Sequence, residues 1–202
     1  GSAINEVLDP LEMEVFNTDK EELDITDTDE VLNFGVINRP DVIINCAAVT
    51  DTDLCEKEPE LAYRVNALGA RNLSIVARKT GAKMVQISTD DVFDGIRHTP
   101  YTEFDDTNPK TVYGRSKRAG ENYVKEFTHK HFILRSNWVY GNGNNFVNRV
   151  LHAADTKDEL LIASDQFGSP TSAKDLARII LYLIKTNEYG TCLLYTSDAA
   201  DE

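Results

Sequence analysis

Apolar runs of strand length alternate with longer segments of helical period along most of this chain. That alternation limits the fold more than any other feature. Asp41–Asn45 (DVIIN), Lys83–Ser88 (KMVQIS) and His131–Arg135 (HFILR) read as buried or half-buried strands. Between them, Glu58–Thr80 sets Leu61, Val65, Leu68, Leu73, Val76 and Ala77 along approximately one helical stripe and ends at Gly81. A second helix is expected over Tyr113–Phe127. Strands that alternate with helices predict a parallel sheet covered on both faces, a Rossmann-like doubly wound α/β fold. Weaker signals predict a short strand at Glu14–Asn17, a short helix over Asp27–Phe34 capped by Asp27, a helix over Phe146–Ala154, a strand over Asp158–Ala163 and an amphipathic helix over Ala173–Lys185.

In an open sheet of this kind, ligands bind at the carboxyl ends of the strands. Three signals fall on that edge in succession: Asn45-Cys46-Ala47-Ala48 after one strand, Ser88-Thr89-Asp90 after the next, and then Tyr113-Gly114-Arg115-Ser116-Lys117 on the following helix. Tyr113 and Lys117, four residues apart, share one helix face. A phenol is a poor acid at neutral pH, and an ammonium beside it favours the phenolate and eases proton transfer to a reduced carbonyl. The Tyr-x-x-x-Lys spacing is weak alone. Its position after a strand-ending hydroxyl is what suits hydride transfer with a tyrosine as proton donor.

With 202 residues, the chain can bury one sizeable core. Its net charge of −13 argues against a nucleic-acid or anionic-membrane partner, which calls for a basic face. No run reaches the length of a membrane span. The 3 cysteines lack CxxC spacing, which suits a reducing cytoplasm, and the histidines do not join them in a metal-ligand pattern. No metal site is expected.

Both ends depart from a complete dinucleotide fold, which opens on a strand and a Gly-rich turn. Here the chain opens in a helical pattern at Gly1–Leu8, where Gly1-Ser2 reads either as the last glycine of that turn or as a cloning scar. The first strand and the Gly-rich turn are therefore expected to be missing, and the C-terminal substrate domain to be largely missing. The last residues, Cys192–Glu202 (CLLYTSDAADE), read as the translation of a transposase-type sequencing adapter. The expected organisation is a partial NAD(P)-binding domain with the start of a substrate-binding region over residues 1–191, and a non-native tail over 192–202.

The quoted segments, together with Tyr63-Arg64-Val65-Asn66-Ala67, Val92-Phe93-Asp94-Gly95, Trp138-Val139-Tyr140-Gly141 and Asp165-Gln166-Phe167-Gly168-Ser169-Pro170-Thr171, resemble the dTDP-4-dehydrorhamnose reductases, a family of extended short-chain dehydrogenases/reductases. The resemblance covers about Glu14 to Thr191. It implies reduction of the 4-keto group of dTDP-4-dehydrorhamnose to dTDP-L-rhamnose in the cytoplasm, with NADPH or NADH as cofactor, Mg2+ in the full-length protein and a homodimeric assembly. It also implies roles. Tyr113 is the proton donor, Lys117 binds the nicotinamide ribose and lowers the tyrosine pKa, and Thr89 and Asp90 lie at the substrate. Asp24 and Ile25 flank the adenine, Ala47, Ala48, Val49, Thr50 and Ile87 lie along the cofactor, and Trp138 packs against the sugar nucleotide. Asn66 supports the site. Asp19, where an acidic residue meets a ribose 2′-hydroxyl, favours NADH, while the family accepts NADPH, so dual use is expected.

Two positions depart from the family pattern: Asp91 replaces the usual tyrosine, and Asn137 a small residue. The added carboxylate of Asp91 is expected to disfavour a dianionic substrate. Two other readings stay open: a non-catalytic relative of this fold, like the regulatory subunit of methionine adenosyltransferase, and a sugar-nucleotide epimerase or dehydratase, for which Asp90-Asp91 imitates the needed acidic pair.

Overall fold

The computed structural model describes residues 1–8, 13–97, 99–143, 145–157, 159–161 and 168–194. Its centre is a sheet of strands β1 (Val42–Asn45), β2 (Lys83–Thr89), β3 (His131–Ser136) and β4 (Gly190–Leu194). The strands lie side by side in chain order, every neighbouring pair parallel. All strand ends that follow a carboxyl direction therefore share one edge.

Helices cover both faces, as the alternation predicts. Against one face pack α2 (Thr28–Asn38), α5 (Ala70–Thr80) and α6 (Val112–Phe127), through a core of Val31, Leu73, Val76, Ala77, Met84, Val124 and Ile133. Against the other lie α1 (Ser2–Val7) and α8 (Ala173–Ile184), with Ile4, Leu176, Ala177 and Ile180 on Val85, Phe132 and Leu134. Met84 and Val85 take opposite faces because side chains alternate along a strand.

Most boundaries follow the sequence signals. α2 starts where expected, with the Asp27 carboxylate accepting from the Asp29 and Glu30 amides, and runs on to Asn38 before Arg39 turns left-handed ahead of Pro40. The expected helix over Glu58–Thr80 is built of α4 (Pro59–Tyr63), a π-helical stretch at Arg64–Gly69 and α5. A short helix at α3 (Thr52–Lys57), capped by Asp51, was not expected. α7 is Phe146–Ala154, as predicted.

The strand expected at Glu14–Asn17 does not form. Among the described residues that stretch has no strand beside it to supply ladder hydrogen bonds, and Val15 and Phe16 remain exposed, with Phe16 edge-on to Phe34 at 6.3 Å. Among the described residues β1 pairs with β2 alone and is an edge strand whose Val42, Ile43 and Ile44 are only half-buried. At the other end, β4 runs across the boundary expected between residues 191 and 192, and Cys192 and Leu194 join the core beneath α8. Residues 195–202, and Asp158 and 162–163 of the strand expected at Asp158–Ala163, lie outside the described residues.

Candidate active site

The carboxyl edge of the sheet gathers most of the expected site residues. β2 ends at Thr89, and a 3₁₀ turn at Asp90–Val92 follows. The Thr89 hydroxyl accepts from the Asp91 amide at 3.2 Å and donates to the Asp90 carboxylate at 3.2 Å. The same turn runs hard against the start of α6. A side chain at Gly114 would place its Cβ 2.1 Å from the Asp91 carbonyl oxygen. Glycine between Tyr113 and Arg115 is therefore a condition for bringing the tyrosine up to the strand end.

Asp91 completes this join. Its carboxylate accepts from the Thr111 hydroxyl at 2.5 Å, and Thr111 is the cap of α6, accepting from the Gly114 amide at 2.9 Å. The departure from the family's tyrosine thus has a structural use: the Asp91 carboxylate is committed to the helix cap.

Tyr113 is half-buried and its phenol is pushed up to about 12. Burial is the main cause, and the charges of Asp91 and Asp90 add to it, while a hydrogen bond with Thr89 works against them. This net direction is opposite to the lowering expected from Lys117. A buried phenol loses more solvation of its charged form than one neighbouring group restores. Lys117 is itself buried and donates from Nζ to the Ile87 carbonyl at 2.6 Å. Burial brings its ammonium down to about 8, opposed by the charges of Glu121 and Cys46. Burial likewise raises Asp90 to about 6, opposed by its Thr89 hydrogen bond and reinforced by Asp91.

The loop after β1 is held from below by Asn66, which lies in the π-helical stretch. Its Oδ1 accepts from the Val49 amide at 2.8 Å, and its Nδ2 donates to the Val49 carbonyl at 3.0 Å and the Ser116 hydroxyl at 2.9 Å. One buried amide thereby ties this loop to the Tyr113 helix. Cys46, Ala47 and Thr50 are exposed along the loop, and Ala48 and Val49 half-buried.

The rim residues stand further out in the fold. Asp24 accepts from the Thr26 amide at 2.9 Å, the main cause of its lowered pKa. Ile25 turns inward onto the core cluster, and its carbonyl accepts from Asn72 at 3.0 Å. The Asp19 carboxylate accepts from the amides of Glu21 at 2.8 Å and Glu22 at 3.2 Å. Ile87 offers the site its backbone only, because its side chain packs into the core under α8.

Trp138 sits beyond β3 with φ of 40°, a conformation costly for a bulky residue, about 1–3 kcal/mol. Its neighbours hold it there: the Thr171 amide donates to the Asn137 carbonyl at 3.0 Å, and the Tyr140 amide to the Thr171 carbonyl at 2.9 Å. The indole lies 5.8 Å from the Phe146 ring. The unusual Asn137 fits because residue 168 is glycine, where a Cβ would come within 1.9 Å of the Asn137 amide nitrogen.

Behind these residues lies a buried ionic cluster that the sequence reading missed. The Glu121 carboxylate accepts from the Ser88 hydroxyl at 2.6 Å, from Arg135 Nε at 2.9 Å and Nη2 at 2.7 Å, and from Arg118 at 3.2 Å. The Arg135 guanidinium lies 5.0 Å from the Phe93 ring, and its Nη1 is buried with no hydrogen-bond partner among the described residues. A signal existed. Glu121 repeats the four-residue spacing from Tyr113 to Lys117, and an arginine closing the apolar run HFILR needs a buried anion.

A Rossmann-like parallel sheet with hydroxyl, phenol and ammonium at its carboxyl edge defines the class of fold and site. The chain belongs to the RmlD substrate binding domain family, which it matches over residues 1–195. It is 44% identical over 171 residues to the spore coat polysaccharide biosynthesis protein SpsK of Bacillus subtilis, covering 84% of this chain and 60% of that one. It spans about half the length of other curated relatives. A solved dTDP-4-dehydrorhamnose reductase from Clostridium acetobutylicum superimposes with a TM-score of 0.94 at 46% identity, over 96% of this chain and 70% of that one. The dTDP-4-dehydrorhamnose reductase of Bacillus anthracis, solved in complex with NADP, gives 0.93 at 44% identity with the same coverage.

Proposed function

We propose that the protein reduces the 4-keto group of dTDP-4-dehydrorhamnose, giving dTDP-L-rhamnose, with NADPH or NADH. The observation that carries this reading is the meeting of Thr89 and Tyr113 at the sheet edge, with Lys117 buried one helical turn away. The relatives that bear the reductase name, one of them solved with NADP, support the same reading.

The residues present fit a dinucleotide. Ala47 and Ala48 are small enough for close approach, Val49 is fixed by Asn66, and Thr50 is exposed on the same loop. These residues, Ile87 through its backbone, Asp24, Ile25, Tyr113 and Lys117 would hold the cofactor, which supplies hydride. Thr89 and Asp90 orient the substrate, and Trp138 packs on it. Tyr113 gives its phenolic proton to the carbonyl oxygen as charge develops there. A phenol held at about 12 remains protonated through the neutral range and is always loaded for that transfer. No group of three His, Cys, Asp or Glu suited to a metal ion occurs among the described residues. On this reading the protein is a cytoplasmic enzyme, homodimeric at full length. No described helix is long and apolar enough to cross a membrane.

A dehydratase is disfavoured because Asp91 is committed to Thr111 and does not stand free as the second acid of a pair. A non-catalytic relative has no need of the Thr89, Tyr113 and Lys117 arrangement. The test follows oxidation of NADPH and NADH with dTDP-4-dehydrorhamnose and identifies the sugar product. Turnover to dTDP-L-rhamnose is expected of the full-length protein. Absence of turnover alongside a stable partner enzyme in pull-down would reverse the reading.

A further inference from the structure

Glu121 stands outside the expected set of site residues, yet it is fully buried and joins α6 to the ends of β2 and β3 through Ser88 and Arg135. It lies four residues after Lys117 on α6, a spacing that puts neighbouring side chains about 5–6 Å apart at Cβ. Its carboxylate receives Ser88, the residue before Thr89, and Arg135 near the end of β3, and Ser88 and Arg135 are partners in the sheet register. Lys117 makes a parallel attachment one turn earlier, from Nζ to the Ile87 carbonyl. Helix and strand are therefore joined by two successive rungs directly below Tyr113 and Thr89.

We propose that Glu121 is a positioning residue for the candidate site: it fastens α6 to the ends of β2 and β3 and supplies the negative charge that keeps the buried Lys117 in its ammonium form. This rests on the reductase reading for its purpose, though not for its geometry. A lysine buried without an opposing charge loses its proton near pH 5–6, which would remove the cation from a ribose-binding position at neutral pH. The groups facing Lys117 are few. Glu121 comes from its own helix, the Ile87 carbonyl from β2 and the Cys46 thiol from beyond β1, and the guanidiniums of Arg118 and Arg135 sit on the Glu121 carboxylate. Of these, Glu121 exerts the largest charge effect holding the proton on, against burial. Arg135 and Arg118 in turn keep Glu121 ionised, since their charges and hydrogen bonds, with that of Ser88, outweigh its own burial.

The test titrates Lys117 directly in the whole chain, by NMR of lysine labelled with 13C at Cε, the signal assigned by its loss in Lys117→Arg. The wild-type midpoint is expected near 8. In Glu121→Gln, which keeps the shape and an acceptor for Ser88, it should fall by about one pH unit or more. The alkaline limb of NAD(P)H oxidation should move down with it. An unmoved Lys117 midpoint in Glu121→Gln would overturn the proposal. Should that variant fail to fold, the wild-type titration decides. A midpoint at or below about 6 shows no charge support, and one near the free-lysine value of about 10.4 shows no burial to oppose, and either is fatal. Turnover with an unmoved Lys117 refutes this role for Glu121 alone. A shifted Lys117 in a protein with no turnover refutes the reductase reading alone.

Discussion

Two acidic regions of this chain use the same side chains in opposite ways. Along the rim from Asp19 to Asp27, carboxylates are exposed or half-buried and accept from amides a few residues away, so each shapes only its own turn. At the carboxyl edge, Asp90, Asp91 and Glu121 bond to groups on other elements or are driven off their ordinary pKa by burial. A carboxylate that caps its own turn is replaceable by water. One that holds an arginine and a serine in the interior is not, because its loss strands a charge.

The sharpest break in that comparison is Glu121→Ala. Leaving Arg135 buried without its partner should cost about 3–5 kcal/mol of stability, read as a lower midpoint of urea unfolding. A loss below about 1 kcal/mol would put Glu121 in the same category as the rim. Next is Asp90→Asn. Its folded pKa, about 6, lies above its ordinary value of 3.8, so its ionised form is the costly one in the fold. That cost sets in as pH rises past about 4 and is complete above about 6, so the variant should gain up to about 3 kcal/mol over wild type at pH 8 and little at pH 4. Unfolding curves at the two pH values would show it. Asp19→Asn is expected to do least, within about 0.5 kcal/mol at any pH. A larger loss in thermal unfolding would mean that the rim carries more than its local turns.

The same contrast explains what could be read from sequence. Strands β2 and β3 and helix α6 are legible because their apolar periodicity is imposed by the core they share. The Thr89, Tyr113 and Lys117 arrangement is legible because it falls on fixed positions of those elements. The coil at Glu14–Asn17 is not legible, since a short alternating run carries no information about whether a neighbour is there to bond it. β4 was missed for a related reason: Gly190–Leu194 gains its strand character from pairing with β3 and from the core beneath α8. The net direction of the Tyr113 pKa is likewise not legible from spacing. Spacing shows which charge is near a phenol, whereas burial, the larger effect, emerges only when Thr89, the 90–92 turn and α6 close together. The bond from Asp91 to Thr111 was equally out of reach, being a contact between residues twenty apart that no local pattern marks.

The central claim is that Tyr113 delivers the proton at this corner. Removing only its hydroxyl, in Tyr113→Phe, tests that claim most directly, with circular dichroism and thermal unfolding as controls for an intact fold. Measured as NAD(P)H oxidation with dTDP-4-dehydrorhamnose, kcat should fall by about 10²–10⁴-fold while KM changes little. A kcat equal to wild type in a folded Tyr113→Phe protein would contradict the account.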